Sequence, residues 1–135
     1  LIAPDDVVRE ARTWKDTPFR HQGRVKGRAC DCAGLIIGVA GGLGLPHVDV
    51  RDYGRMPHPK RMRAALDAQL ERIAIGSADV GDVVWMAWDR CPQHLAIITD
   101  VGLIHAYERA GKVVEHPMNN GWRAMIRAAY RYRVG

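Results

Sequence analysis

From Gly81-Asp82 onward the apolar residues of this chain change period, and that change limits the folds open to it. Upstream, Val7, Ala11 and Trp14 recur at helical spacing after the start signal Pro4-Asp5-Asp6, predicting a helix that ends near Lys15. Residues 32–40 are apolar on almost every side and stop at Gly41-Gly42, as a buried helix would, with Asp31 placed to cap it. Met62, Leu66, Leu70 and Ile73 put one apolar face on a third helix over 60–72. Downstream, residues 83–88, 95–99, 103–107 and 112–115 are short β-rich runs separated by turn residues, the pattern of an antiparallel meander. The tail over 122–132 reads as a short helix followed by an edge strand. Helices followed by a run of strands, without an internal repeat, predict a single α+β domain over residues 1–135.

The length suits one core, since 135 residues with 47% apolar content bury an ordinary hydrophobic interior. A net charge of +5 favours an anionic partner, and nucleic acid, a membrane surface and acidic wall peptides all qualify. The basic residues are spread over 20–28, 51–63 and 123–133, so no helix or loop gathers them into a nucleic-acid stripe. Trp14, Trp85, Trp88 and Trp122 lack binding-motif spacing and read as packing residues. No run reaches the roughly 18 apolar residues that cross a bilayer. The start lacks the basic and apolar regions of a signal peptide, which predicts synthesis in the cytoplasm, although Leu1 in place of Met leaves room for a trimmed N-terminus.

Three cysteines cannot all pair within one chain, and Cys30 and Cys32 stand too close for an ordinary disulfide, so at least one thiol stays free. Cys32 falls in the first turn of the apolar helix, where unpaired backbone N–H groups and the helix dipole favour a thiolate. A thiol nucleophile needs an imidazole within reach and a third group to orient that imidazole. Of six histidines, His94 opens a strand-like run and His105 lies on the next one, so a short turn would set them side by side across an antiparallel pair. His47, His58 and His116 sit beside proline in loop-like sequence and read as surface residues.

Residues 14–23 (Trp-Lys-Asp-Thr-Pro-Phe-Arg-His-Gln-Gly), Asp31-Cys-Ala-Gly-Leu, Gly81-Asp-Val-Val, Gln93-His-Leu-Ala-Ile, Leu103-Ile-His-Ala and Ala129-Tyr-Arg-Tyr together resemble the NlpC-type papain-like endopeptidases, in order and spacing along nearly the whole chain. The first and last of these blocks look like the phage-tail branch of that family. The resemblance implies a papain-like NlpC-type fold, with N-terminal helices packed on an antiparallel β-sheet. It implies Cys32 as nucleophile, His94 as general base, His105 as the group that orients the base, and no cofactor or metal. Many members carry a tyrosine about a dozen residues before the nucleophile, where its hydroxyl serves the oxyanion site; here that place holds Phe19. The oxyanion would then rest on the backbone N–H of Cys32 and on His21 or a second amide, with slow turnover as one consequence. The activity implied is hydrolysis of cell-wall stem peptides through a thioester. With no spare segment for wall targeting, tail or baseplate proteins are the expected partners, and delivery to the periplasm or wall the expected route.

Two other readings compete. Cys30, Cys32, Cys91 and His94 supply four ligands for zinc, but the single residue between the first pair is short of the two to four usual in structural sites. A non-catalytic tail or nucleic-acid-binding module would account for the basic balance without using the thiol.

Overall fold

The computed structural model describes residues 2–51, 53–54, 58–88 and 91–133. Helix α1 (Pro4–Arg12) begins with proline at its first position and two aspartates in its first turn, and ends three residues before the expected Lys15, at the cap Thr13. The chain then crosses in turns, with Asp16 in the left-handed region, to a two-stranded hairpin of β1 (Arg24–Val25) and β2 (Ala29–Cys30). This hairpin lies in the polar, basic stretch with Gly23 and Gly27 that joins the first two helices. Helix α2 (Cys32–Gly42) follows at once, and Leu35, Val39 and Ala40 on it are buried.

Helix α3 spans Pro59–Gln69 and stops short of the expected Arg72, because Leu70 adopts extended geometry and opens strand β3 (Leu70–Ile73). The apolar positions 62, 66 and 70 suit a helix equally well; what decides is that β3 finds an antiparallel partner in β8 (Ile126–Tyr132), with Leu70 opposite Tyr132 and Ile73 opposite Ala129. Strand β8 is for the same reason an interior strand, a correction to its reading as an edge: β3 covers one side and β4 (Val83–Trp88) the other. The meander continues through β5 (Cys91–Ile98), β6 (Leu103–Tyr107) and β7 (Lys112–His116), giving a six-stranded sheet in the order β3-β8-β4-β5-β6-β7. A short helix α4 (Asn120–Ala124), capped by the Asn119 side chain, leads into β8.

Alternation sorts the side chains to two faces. Val83, Trp85, Leu95, Ile97, Ile104 and Tyr130 pack with Val7, Trp14, Leu35 and Val39 to form the main core between sheet and helices. Val84, Met86, Ala96, Leu103 and Ala129 form a smaller cluster with Met118 and Trp122. Among the described residues no helix is long and apolar enough to cross a membrane.

Candidate active site

Cys32 owes its place to the residue before it. The Asp31 carboxylate accepts from the Gly34 N–H at 2.8 Å, capping the N-terminus of α2, and Cys32 is therefore the first helical residue. Asp31 also accepts from the Gln22 N–H at 2.8 Å, the Arg24 guanidinium at 3.0 Å and the Tyr53 hydroxyl at 2.5 Å. It is almost wholly buried, and four donors from three parts of the chain thus converge on one carboxylate. At Gly34 any Cβ would overlap the Gly23 carbonyl oxygen, so the absence of a side chain there lets the 20–30 segment lie against the start of α2.

Strand β5 meets the thiol with an irregularity. Met86 pairs with His94 but Ala87 pairs with Pro92, so Gln93 is an extra residue, a bulge of the kind that re-aims side chains beside active sites. The Gln93 carbonyl lies 3.9 Å from the Cys32 sulfur. Cys32 is half-buried, and burial with the adjacent Asp31 charge pushes its thiol up to about 12, against the opposing pull of the backbone N–H groups of Leu95 and Ala33. Burial likewise holds His94 down at about 4. Both groups are neutral at rest near pH 7.

The sheet joins His94 to His105: His94 Nε2 and His105 Nδ1 are 2.5 Å apart. His105 is fully buried, with Tyr107 stacked on it at 4.9 Å and Trp122 edge-on at 5.4 Å. Burial and the two neighbouring imidazoles keep it neutral. His116 is not the surface residue its proline neighbour suggests. It is partly buried on β7, diagonal to His105 across the β6–β7 register, and its Nε2 lies 2.8 Å from His105 Nε2. A signal for it exists in the sequence, since His94, His105 and His116 recur at an interval of eleven, the length of one hairpin step.

The remaining candidates fall in different places. Phe19 is partly buried against the main core, and its N–H donates to the Gly111 carbonyl at 2.8 Å; its ring brings no donor. His21 packs edge-on against Tyr53 at 5.5 Å, on the loop that supplies Gln22 to Asp31. Tyr53 escapes a reading from sequence because it lies 22 residues from Asp31 in a segment without periodicity. Its single proton is committed to Asp31 while its oxygen accepts from Arg24 at 2.7 Å, so it does not replace a hydroxyl at position 19. Cys30 is fully buried with its sulfur turned to the Asp31 carbonyl. Among the described residues no three acidic, cysteine or histidine side chains converge as a metal would require; the side chain of Cys91 lies outside them. Beside Cys32 a cavity of about 470 Å³ opens between α2 and α3, floored by Ile36, Met62, Leu66 and Tyr132 and bordered by Tyr53 and Arg61.

A nucleophile candidate at a helix start, beside a bulged strand that bears the first of a line of histidines, sits on an architecture shared with known proteins. An NlpC/P60 family protein from Bacillus cereus superposes with a TM-score of 0.72 at 19% identity over 97% of this chain. The fold is that of the NlpC/P60 papain-like domains. A lipoprotein-like NLP/P60 family protein from Staphylococcus aureus superposes with a TM-score of 0.68 at 18% identity over 98% of the chain. The NlpC/p60 domain of the peptidoglycan hydrolase SagA gives 0.66 at 21% identity, covering 96% of this chain and 98% of that domain. The chain spans only 40% and 42% of the Bacillus and Staphylococcus proteins. Neither a family model nor a curated protein sequence matches it.

Proposed function

We propose that the protein is a cysteine peptidase of bacterial cell-wall peptides, with Cys32 as nucleophile, His94 as general base and His105 as the residue that orients the base. The observation that carries this reading is the meeting of the capped helix start with the bulge in β5, which sets the Cys32 sulfur against the backbone next to His94 while His105 holds the far edge of that imidazole. Similarity of fold to the SagA domain, named as part of a peptidoglycan hydrolase, supports the choice of substrate.

In the proposed reaction the Cys32 sulfur attacks the scissile carbonyl carbon as its proton passes to His94 Nδ1. The C–N bond then breaks, His94 returns the proton to the leaving amine, and a thioester remains on Cys32. Water adds to the thioester with His94 again as base, releasing a carboxylate and restoring the thiol. Because burial favours the neutral thiol and the neutral imidazole, charge separates only during attack, and oxyanion donors carry much of the stabilisation. The Cys32 backbone N–H is the first such donor, His21 the second candidate; each donor typically contributes roughly 2.7–4 kcal/mol. The preferred bond is the D-γ-glutamyl to diaminopimelate linkage of the stem peptide, whose carboxylates the basic side chains of the protein would meet. Delivery to the wall as part of a phage or phage-like tail completes the proposal, on the strength of the opening and closing sequence blocks.

Digestion of purified muropeptides, with products identified by mass, tests the roles. His94→Ala should abolish cleavage nearly as fully as Cys32→Ala, while His105→Ala retains more activity. The reverse order of the two histidines would overturn the assignment of base and orienter.

A further inference from the structure

The line of histidines ends on a group whose hydrogen-bonding role is fixed. His116 Nδ1 lies 2.8 Å from the Pro117 carbonyl oxygen. A carbonyl only accepts, so Nδ1 of His116 carries a proton, and in the neutral ring Nε2 must accept. The group facing that Nε2, at 2.8 Å, is His105 Nε2, which must then donate. His105 Nδ1 in turn becomes an acceptor, and the His94 Nε2 opposite it a donor. His94 Nδ1 is left as an acceptor, the one form in which it can take a proton from a thiol. With all three rings neutral, this one carbonyl thereby sets the tautomer of each, since the two ring-to-ring contacts take their polarity from it.

We propose that His116, anchored on the Pro117 carbonyl, is a positioning residue that holds His105 and through it His94 in the tautomer with Nδ1 as acceptor. The base role of His94 rests on the peptidase reading above; the tautomer order does not. The surroundings are built to keep the rings from turning instead. Tyr107 lies nearly parallel to His105, with 18° between planes, and Trp122 closes on both His105 at 5.4 Å and His116 at 4.6 Å. Strand β7 is itself pinned, because Glu115, next to His116, receives the Arg12 guanidinium of α1 at 2.8 Å. The stack on Tyr107 and the edge contact with Trp122 thus oppose rotation of the His105 ring, and the hydrogen bonds decide where its proton sits.

The test compares wild type with His116→Leu, which fills the space without an acceptor, and His116→Gln, which restores an acceptor near the Nε2 position. Imidazole nitrogen NMR on the intact protein near neutral pH should show His94 protonated at Nε2 and bare at Nδ1, and His105 likewise. His116→Leu should give mixed tautomers at His105 and lower kcat on muropeptides by about tenfold, the worth of one buried hydrogen bond, with KM within about twofold. His116→Gln should recover most of both signals. A His94 protonated at Nδ1 in the wild type overturns the proposal, as does a His116→Leu protein, still folded by its amide spectrum, whose tautomers match wild type. Should the wild type cleave no muropeptide, the peptidase reading fails while the tautomer pattern alone decides this one.

Discussion

Replacing Asp31 by alanine removes the carboxylate on which the start of α2 depends. Loss of the cap to Gly34 costs about 1 kcal/mol. The Arg24 guanidinium, 6% exposed, loses its partner at 3.0 Å, and breaking such a buried pair typically costs about 3–5 kcal/mol. Arg24 keeps Asp49 at 2.8 Å, which reduces this to about 2 kcal/mol, so Asp31→Ala should destabilise by about 3 kcal/mol in all. Asp31→Asn keeps an oxygen for the Gly34 N–H but sets an amide NH2 where the second oxygen accepts from Gln22 and Tyr53, for about 2 kcal/mol. Urea unfolding followed by tryptophan fluorescence measures both values. A cost below about 1 kcal/mol for the alanine variant would refute the view that one buried carboxylate organises the Cys32 neighbourhood.

Three further outcomes follow from the packing and the titrating groups. Gly38→Ala should destabilise by about 1–2 kcal/mol despite a helix-propensity gain near 1 kcal/mol, because its Cβ would overlap the Trp14 ring; a more stable variant would show that Trp14 yields freely. His94 is held at about 4 in the folded chain against 6.5 unfolded, so the unfolded state binds more protons between these values. Stability should be full above pH 6.5 and fall by about 3 kcal/mol from this group as pH drops through 4, a loss that His94→Gln removes; identical acid profiles in urea unfolding would contradict it. With its thiol pushed up to about 12, Cys32 should react with iodoacetamide slowly at pH 7 and about tenfold faster per pH unit through pH 9, read by peptide mapping; a plateau below pH 8 would contradict the neutral resting pair.

Residues 83–88 and 103–107 are legible as strands because local composition and turn signals agree with their place in the sheet. The end of α3 is not legible, since Leu66 and Leu70 fit a helix by spacing and only the distant pairing with Tyr132 makes Leu70 extended. The interior position of β8 depends on that same non-local pairing. At the site, the pairing of His94 with His105 follows from an eleven-residue hairpin step, whereas His116 is obscured by Pro117, whose carbonyl is what makes that histidine informative. Tyr53 and Arg24 carry no local pattern at all; they reach Asp31 only once the chain has folded.

The central claim, that Cys32 forms a covalent acyl intermediate, is tested most directly by intact-protein mass spectrometry during turnover of a purified muropeptide. Wild-type protein should carry the added mass of the acyl fragment on Cys32, the His94→Ala variant, without the base for attack, should carry little, and Cys32→Ala should carry none and release no product. Product release by Cys32→Ala at the wild-type rate would contradict the account.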